Sequence, residues 1–128
     1  MMLHEKTRAL ATGKNFAVLT TLLADGTPQS HVMWVDADET HLYINTEIHR
    51  QKFKNVERDP RATVTIVDRA NPYSFVEVRG KVVGTIGGQE ARDHIDALSQ
   101  RYFGRPYRNQ IKSERVILKI EPLREVVR

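Results

Sequence analysis

A chain of 128 residues that is 40% hydrophobic and 28% charged forms one domain, residues 1–128, large enough to bury a core. It has no cysteine, which excludes disulfides, thiolate catalysis and cysteine-based metal sites. A net charge of +4 and a pI near 9.6 favour anionic partners, yet acids and bases are interspersed without a long Lys/Arg block, so no nucleic-acid partner is expected.

Residues 1–12 can form a short amphipathic helix with Leu3 and Leu10 on one face, closed by Gly13. Residues 16–22 read as a strand, Asp25-Gly26 as the centre of a hairpin turn, and residues 29–36 as the returning strand. After a turn at 37–40, residues 41–46 form a third strand and residues 62–68 a fourth. Asn71-Pro72 breaks the chain before an unusually long fifth strand, 73–86, in which Gly80 and Gly84 mark a bulge or a barrel corner. Residues 89–103 have the best helical pattern, with Ala91, Ile95, Leu98 and Tyr102 on one face and Gly104 and Pro106 as the stop. A sixth strand covers 115–120; Pro122 ends its regular part, and Val126-Val127 can extend it. The longest apolar runs, such as 16–19, are far too short to span a membrane, and the N-terminus has no signal-peptide apolar stretch, so a cytoplasmic protein with no membrane partner is expected.

Six strands joined mostly by short hairpins, one of them long and bent, predict a mainly β fold: a small closed antiparallel barrel with flanking helices. Residues 16–19 (Phe-Ala-Val-Leu) and 32–35 (Val-Met-Trp-Val) are apolar on both faces and cannot all point into one small interior. Helices or a second subunit must cover their outer faces, and a homodimer is the economical expectation.

Most of the chemistry sits in residues 45–61, Asn-Thr-Glu-Ile-His-Arg-Gln-Lys-Phe-Lys-Asn-Val-Glu-Arg-Asp-Pro-Arg, between the third and fourth strands. A short helix fits the middle, and Asp59-Pro60 stops it, because the residue before proline is pushed out of the α region. Phe53 and Val56 give this helix its one apolar stripe, which leaves Lys52 as a surface lysine. Arg50, Lys52 and Lys54 gather three cations near the helix start, where free backbone N–H groups suit an anion from outside, phosphate above all. From charge alone a solvated basic turn accounts for the same residues and is the simpler reading. No nucleophile–base constellation is visible. The five histidines (His4, His31, His41, His49, His94) are scattered without zinc-like spacing, so no metal site is expected. The cluster Gly84-Thr85-Ile86-Gly87-Gly88 lacks the context of a dinucleotide loop and reads as a strand-to-helix turn.

The order of the pieces is informative: 16–22, Asp-Gly-Thr-Pro-Gln (25–29), Val-Met-Trp-Val-Asp (32–36), Tyr-Ile-Asn-Thr (43–46), Arg-Gln-Lys-Phe-Lys-Asn-Val (50–56), Arg-Asp-Pro-Arg-Ala (58–62) and Val-Glu-Val-Arg-Gly-Lys-Val (76–82). Over nearly the whole chain this resembles the pyridoxamine 5′-phosphate oxidase-like split β-barrel superfamily, most closely its flavin/deazaflavin branch that uses coenzyme F420. The resemblance implies a six-stranded antiparallel split barrel of the FMN-binding type, a homodimer with two cofactor sites at the subunit interface. It implies that Arg50 and Lys52 hold the cofactor phosphate, with Thr46 as the matching hydroxyl and Asn55 nearby. Asn55 could equally cap or pack locally. The cofactor ring would lie along Ser30, Val32 and Trp34, the strand backbone meeting the ring edge; Trp34 also fits a core or interface aromatic.

The implied activity is hydride transfer from reduced F420 to a small conjugated substrate. That suits a sequence without an acid–base triad, and no catalytic residue is assigned. The segment after Glu121 matches none of the C-terminal substrate-binding residues of the vitamin B6 oxidases, which disfavours that activity. An FMN-binding reductase of the same fold and a non-catalytic F420-storage protein are the alternatives.

Overall fold

A computed structural model describes residues 2–128; Met1, where the N-terminal helix was expected to begin, lies outside them. The elements in chain order are α1 (Glu5–Thr12), β1 (Phe16–Leu22), β2 (Pro28–Met33), β3 (Asp36–Ala37), β4 (Leu42–Glu47), α2 (Gln51–Arg58), β5 (Arg61–Val67), β6 (Phe75–Ile86), α3 (Gly88–Phe103) and β7 (Arg115–Val127). All strand pairs are antiparallel and form one sheet in the order β2-β1-β5-β6-β7-β4-β3.

The two edge strands of that sheet, β2 and β3, are consecutive in the chain, with only Trp34 and Val35 between them. Three Cα steps reach at most about 11 Å. The sheet must therefore curl until its two edges meet at this corner, which is the split-barrel form expected from the sequence. The strand count is seven rather than six, because the single strand expected at 29–36 is broken at the corner. The break has an identifiable cause: Val35 takes its backbone partners from α3 side chains instead of a neighbouring strand. Its N–H donates to the Tyr102 hydroxyl (3.3 Å), and its C=O accepts from Arg101 (2.7 Å).

Alternating residues fill the interior: Ala17 and Leu19 from β1, Ala62, Val64 and Ile66 from β5, Val76 and Val78 from β6, Leu42 and Ile44 from β4, Leu118 and Ile120 from β7. Each large aliphatic side chain buried this way stabilises the fold by roughly 1.5–3 kcal/mol. Leu3, Leu10 and Ala11 close one side of the core. The N-terminal helix starts at Glu5 because His4 caps it, its Nδ1 accepting from the Lys6 N–H (3.0 Å). The long strand β6 has register shifts at Arg79/Gly80 and Val82/Gly84, the bulges its glycines predict. Its partner β7 runs through Pro122 to Val127; proline, which donates no ladder bond, stands opposite Gly80 at the irregular register.

Candidate functional site

α2 owes its position to Asn55. This fully buried amide donates to the Thr21 hydroxyl (3.0 Å) and to Gln29 Oε1 (3.1 Å), and it accepts from Gln51 Nε2 (2.8 Å). The two donated bonds pin the helix to β1 and β2 and use both N–H groups of the amide. A residue three positions earlier lies on the same helical face, so Lys52 turns inward as well. It is 2% exposed, where the sequence suggested a surface lysine. The buried face of α2 is thus Lys52, Asn55 and Val56, with Phe53 only half-buried.

Lys52 opens into a cavity of about 250 Å³ whose walls include Val32, Met33, Trp34, Thr46, Arg50 and Arg115. Of the residues expected to hold a cofactor, the fold brings Val32, Trp34, Thr46, Arg50 and Lys52 together around this space. Ser30 and Asn55 are not in its walls. Ser30 is exposed on β2, its hydroxyl 2.8 Å from that of Thr20 on β1, and Asn55 lies at the helix–sheet seam.

The end of β4 supplies Asn45, Thr46 and Glu47, three buried polar residues in succession. Asn45 Oδ1 accepts from Arg115 Nε (2.9 Å), while its amide donates to the Ala91 carbonyl (2.9 Å) and to His94 Nδ1 (3.0 Å). The other ring nitrogen of His94 faces Asp36 (3.0 Å), which also accepts from Arg101 (2.6 Å). Arg115 is therefore the inner end of a hydrogen-bonded chain that runs through α3 to the corner of the barrel. Glu47 sits 3.4 Å from Arg115 and accepts from the N–H groups of Lys112 and Ser113 (2.7 Å each), which ties down the loop before β7. From that loop Tyr107 lies under the Arg115 guanidinium, 5.3 Å from Cζ to the ring centre. Trp34 stacks on Tyr102 at 5.1 Å and meets Phe103 and Tyr107 edge-on.

The electrostatics are unbalanced. Burial would raise the Glu47 carboxyl, but the two N–H donors and Arg115 outweigh it and hold it below its ordinary range. Burial also lowers Arg115. For Lys52, burial first, then Arg50 and Arg115, bring the ammonium down from 10.5 to about 8. Burial, Lys52 and Arg50 likewise lower His31. Among the described residues no carboxylate lies within ion-pair distance of Lys52. Three cations thus face one carboxylate that is already engaged, an arrangement suited to an anion with several acceptor oxygens. No group of three His, Asp or Glu side chains among the described residues could hold a metal ion.

Residues 3–126 match the family described as pyridoxamine 5′-phosphate oxidase. The chain belongs to that family. Among solved structures of similar shape is one named F420 reductase, 28% identical, covering 97% of this chain and 98% of its own, with a TM-score of 0.79. A conserved hypothetical protein from Mycobacterium tuberculosis (22% identical, covering 98% of this chain and 84% of its own, TM-score 0.72) also shares the fold. So does general stress protein 26 from Bacillus anthracis (21% identical, covering 96% and 92%, TM-score 0.69). Family and fold together support a flavin/deazaflavin-type oxidoreductase family for this chain.

Arg115, Glu47 and Asn45 are the site residues the sequence did not single out. Arg115 opens an ordinary alternating strand, and nothing local marks it. The run Asn45-Thr46-Glu47 carried one faint signal, three polar residues continuing a strand whose preceding residues are apolar.

Proposed function

We propose that this protein is a reductase that takes a hydride from reduced coenzyme F420 and delivers it to a small, planar, conjugated molecule. The observation that supports this reading most is the cation cluster of Arg50, Lys52 and Arg115 around a cavity beside β2. The likeness to the F420 reductase structure favours F420 over FMN. The donor set fits a phosphate: Lys52 is buried without a carboxylate partner, and Arg50 and Arg115 crowd it with like charge. Arg50, Lys52 and Arg115 would bind the phosphate, and the Thr46 hydroxyl would add a donor. β2 pairs with β1 alone, so the other side of its backbone is free to meet the ring edge at Val32 and Met33, with Trp34 just past the strand end. The cofactor supplies the hydride donor when bound. The chain's own work is to fix the ring, to wall it with Trp34 and Tyr107, and to keep water from its face. No side chain of the cavity is assigned as an acid, and the proton comes from solvent.

Adding F420 and FMN separately and following ring fluorescence tests the reading. The expected result is saturable binding of F420 and F420-dependent reduction of a conjugated acceptor. Tight FMN binding without F420 binding would make the protein an FMN-binding reductase instead. Binding without reduction of any acceptor would support a storage role.

The same reading includes a homodimer. Val32 at the cavity mouth is 68% exposed, and Phe103, which packs on Trp34, is 62% exposed. A second copy laid over this apolar rim would enclose the ring. Light scattering should give about 29 kDa, twice the chain mass of 14.7 kDa. A monomer at micromolar concentration would rule out a shared site.

A further inference from the structure

We propose that Lys52 is also a covalent site: its amine captures the carbonyl carbon of small phosphate-bearing aldehydes as an imine inside the cavity. The inference goes beyond the cofactor reading and rests on the geometry of one amine. Lys52 is almost completely buried, its helix is pinned through Asn55, and its side chain lines the cavity. Arg50 from the start of α2 and Arg115 from β7 flank it. A phosphate held by those guanidinium groups would bring a short tethered aldehyde to the amine, and tethering of this kind replaces a bimolecular encounter with a local one.

The remaining groups near the cavity do not compete for the role. Glu47 on β4 is engaged by Arg115 and by the Lys112 and Ser113 N–H groups. Tyr107 from the loop lies against Arg115. His31 on β2 feels Lys52 as a like charge and does not neutralise it. A desolvated lysine beside other cations is the usual setting of an imine-forming amine. With the amine titrating at about 8 instead of 10.5, the neutral fraction at pH 7 is on the order of 100-fold larger than in an ordinary lysine.

The step balances without an oxidant or reductant. The ammonium first releases a proton to solvent. The Nζ lone pair then attacks the carbonyl carbon, forming the C–N bond, and the former carbonyl oxygen leaves as water when the C=N bond forms. An imine at Lys52 takes the position of the cofactor phosphate between Arg50 and Arg115 and excludes it, so such aldehydes would act as inhibitors.

The test uses the intact protein with glycolaldehyde phosphate as the anionic probe and glycolaldehyde as its neutral match. Borohydride traps the imine, and peptide mass spectrometry locates it. Lys52 should be labelled about tenfold or more faster than exposed lysines such as Lys54. The phosphate-bearing probe should be preferred, inorganic phosphate should compete, and labelling should rise with pH up to about 8. Lys52→Arg, which keeps the charge and removes the nucleophile, should lose the adduct while still folding. Labelling spread evenly over surface lysines, or equal labelling by the neutral aldehyde, would overturn the proposal. F420 and FMN form a separate arm. If Lys52 is labelled selectively but neither cofactor protects it, the imine site stands and the cofactor has been placed wrongly.

Discussion

Lys52→Met will make the ligand-free protein more stable and bind a phosphate-bearing cofactor more weakly. Both effects come from the same buried charge. A lysine whose ammonium falls from 10.5 to about 8 on folding costs the native state roughly 3 kcal/mol while it stays protonated. Below pH 8 both the folded and unfolded chains hold the proton, and the whole cost is present. Between about 8 and 10.5 the unfolded chain keeps the proton and the native chain has lost it, so wild-type stability rises with pH across that window. Methionine fills similar space without charge, so the variant should be more stable than wild type at pH 7, with the gap closing toward pH 10.5. Urea denaturation at pH 7 and pH 10 measures this. Binding should move the other way. A desolvated charge-assisted hydrogen bond is worth roughly 1.5–3 kcal/mol, so losing it should weaken cofactor affinity by about 10- to 100-fold. A variant less stable than wild type at pH 7 would mean that the ammonium has a compensating partner. Unchanged affinity would remove Lys52 from the phosphate site.

The pattern that revealed the fold in the sequence was local alternation, which survives in β1 and β5 because one face of each is core; at the start of β7 the apolar alternation is in the sequence, while Arg115, Val116, Ile117 and Leu118 are all buried. The helical stripe Ala91, Ile95, Leu98 was legible for the same reason, and all three are buried. The corner at Trp34-Val35 was not legible. Those residues look like strand, and only the Tyr102 and Arg101 side chains, nearly seventy positions away, take them out of the ladder. A basic motif after a strand end pointed to Thr46, Arg50 and Lys52, and these three do line one cavity. The inward face of α2 was misjudged, because Phe53 and Val56 outranked Lys52 on hydrophobicity while the helix is oriented by hydrogen bonds to Asn55. Arg115 was missed because its role depends on Asn45 and Glu47, seventy and sixty-eight residues earlier, and no spacing rule joins them.

Gly80→Ala will destabilise the protein strongly, whereas Gly84→Ala, four residues along the same strand, will not. Both glycines lie at register shifts of β6 against β7, and neither has a positive φ, so backbone conformation does not separate them. Space does. A Cβ on Gly80 would stand 2.2 Å from the Glu121 carbonyl oxygen, 3.1 Å from its carbon and 3.2 Å from Ile120 Cγ2. The first two are backbone atoms of β7 and cannot swing aside like a side-chain tip. The clash must be relieved by parting β6 from β7 beside the buried Ile120, next to Pro122, which cannot donate a replacement ladder bond. Overpacking of this kind costs about 1–3 kcal/mol where a core can adjust, and a backbone contact this short belongs at or above the upper end. For a chain of this length that is a fall in Tm of roughly 10 °C. At Gly84 nothing lies within 4 Å of the added methyl. There alanine removes unfolded-state freedom without a clash and should be neutral or stabilising by up to about 1 kcal/mol. Paired thermal melts decide the matter: equal losses at both positions would show that glycine is required by the bulges themselves, not by the approach of β7 to Gly80.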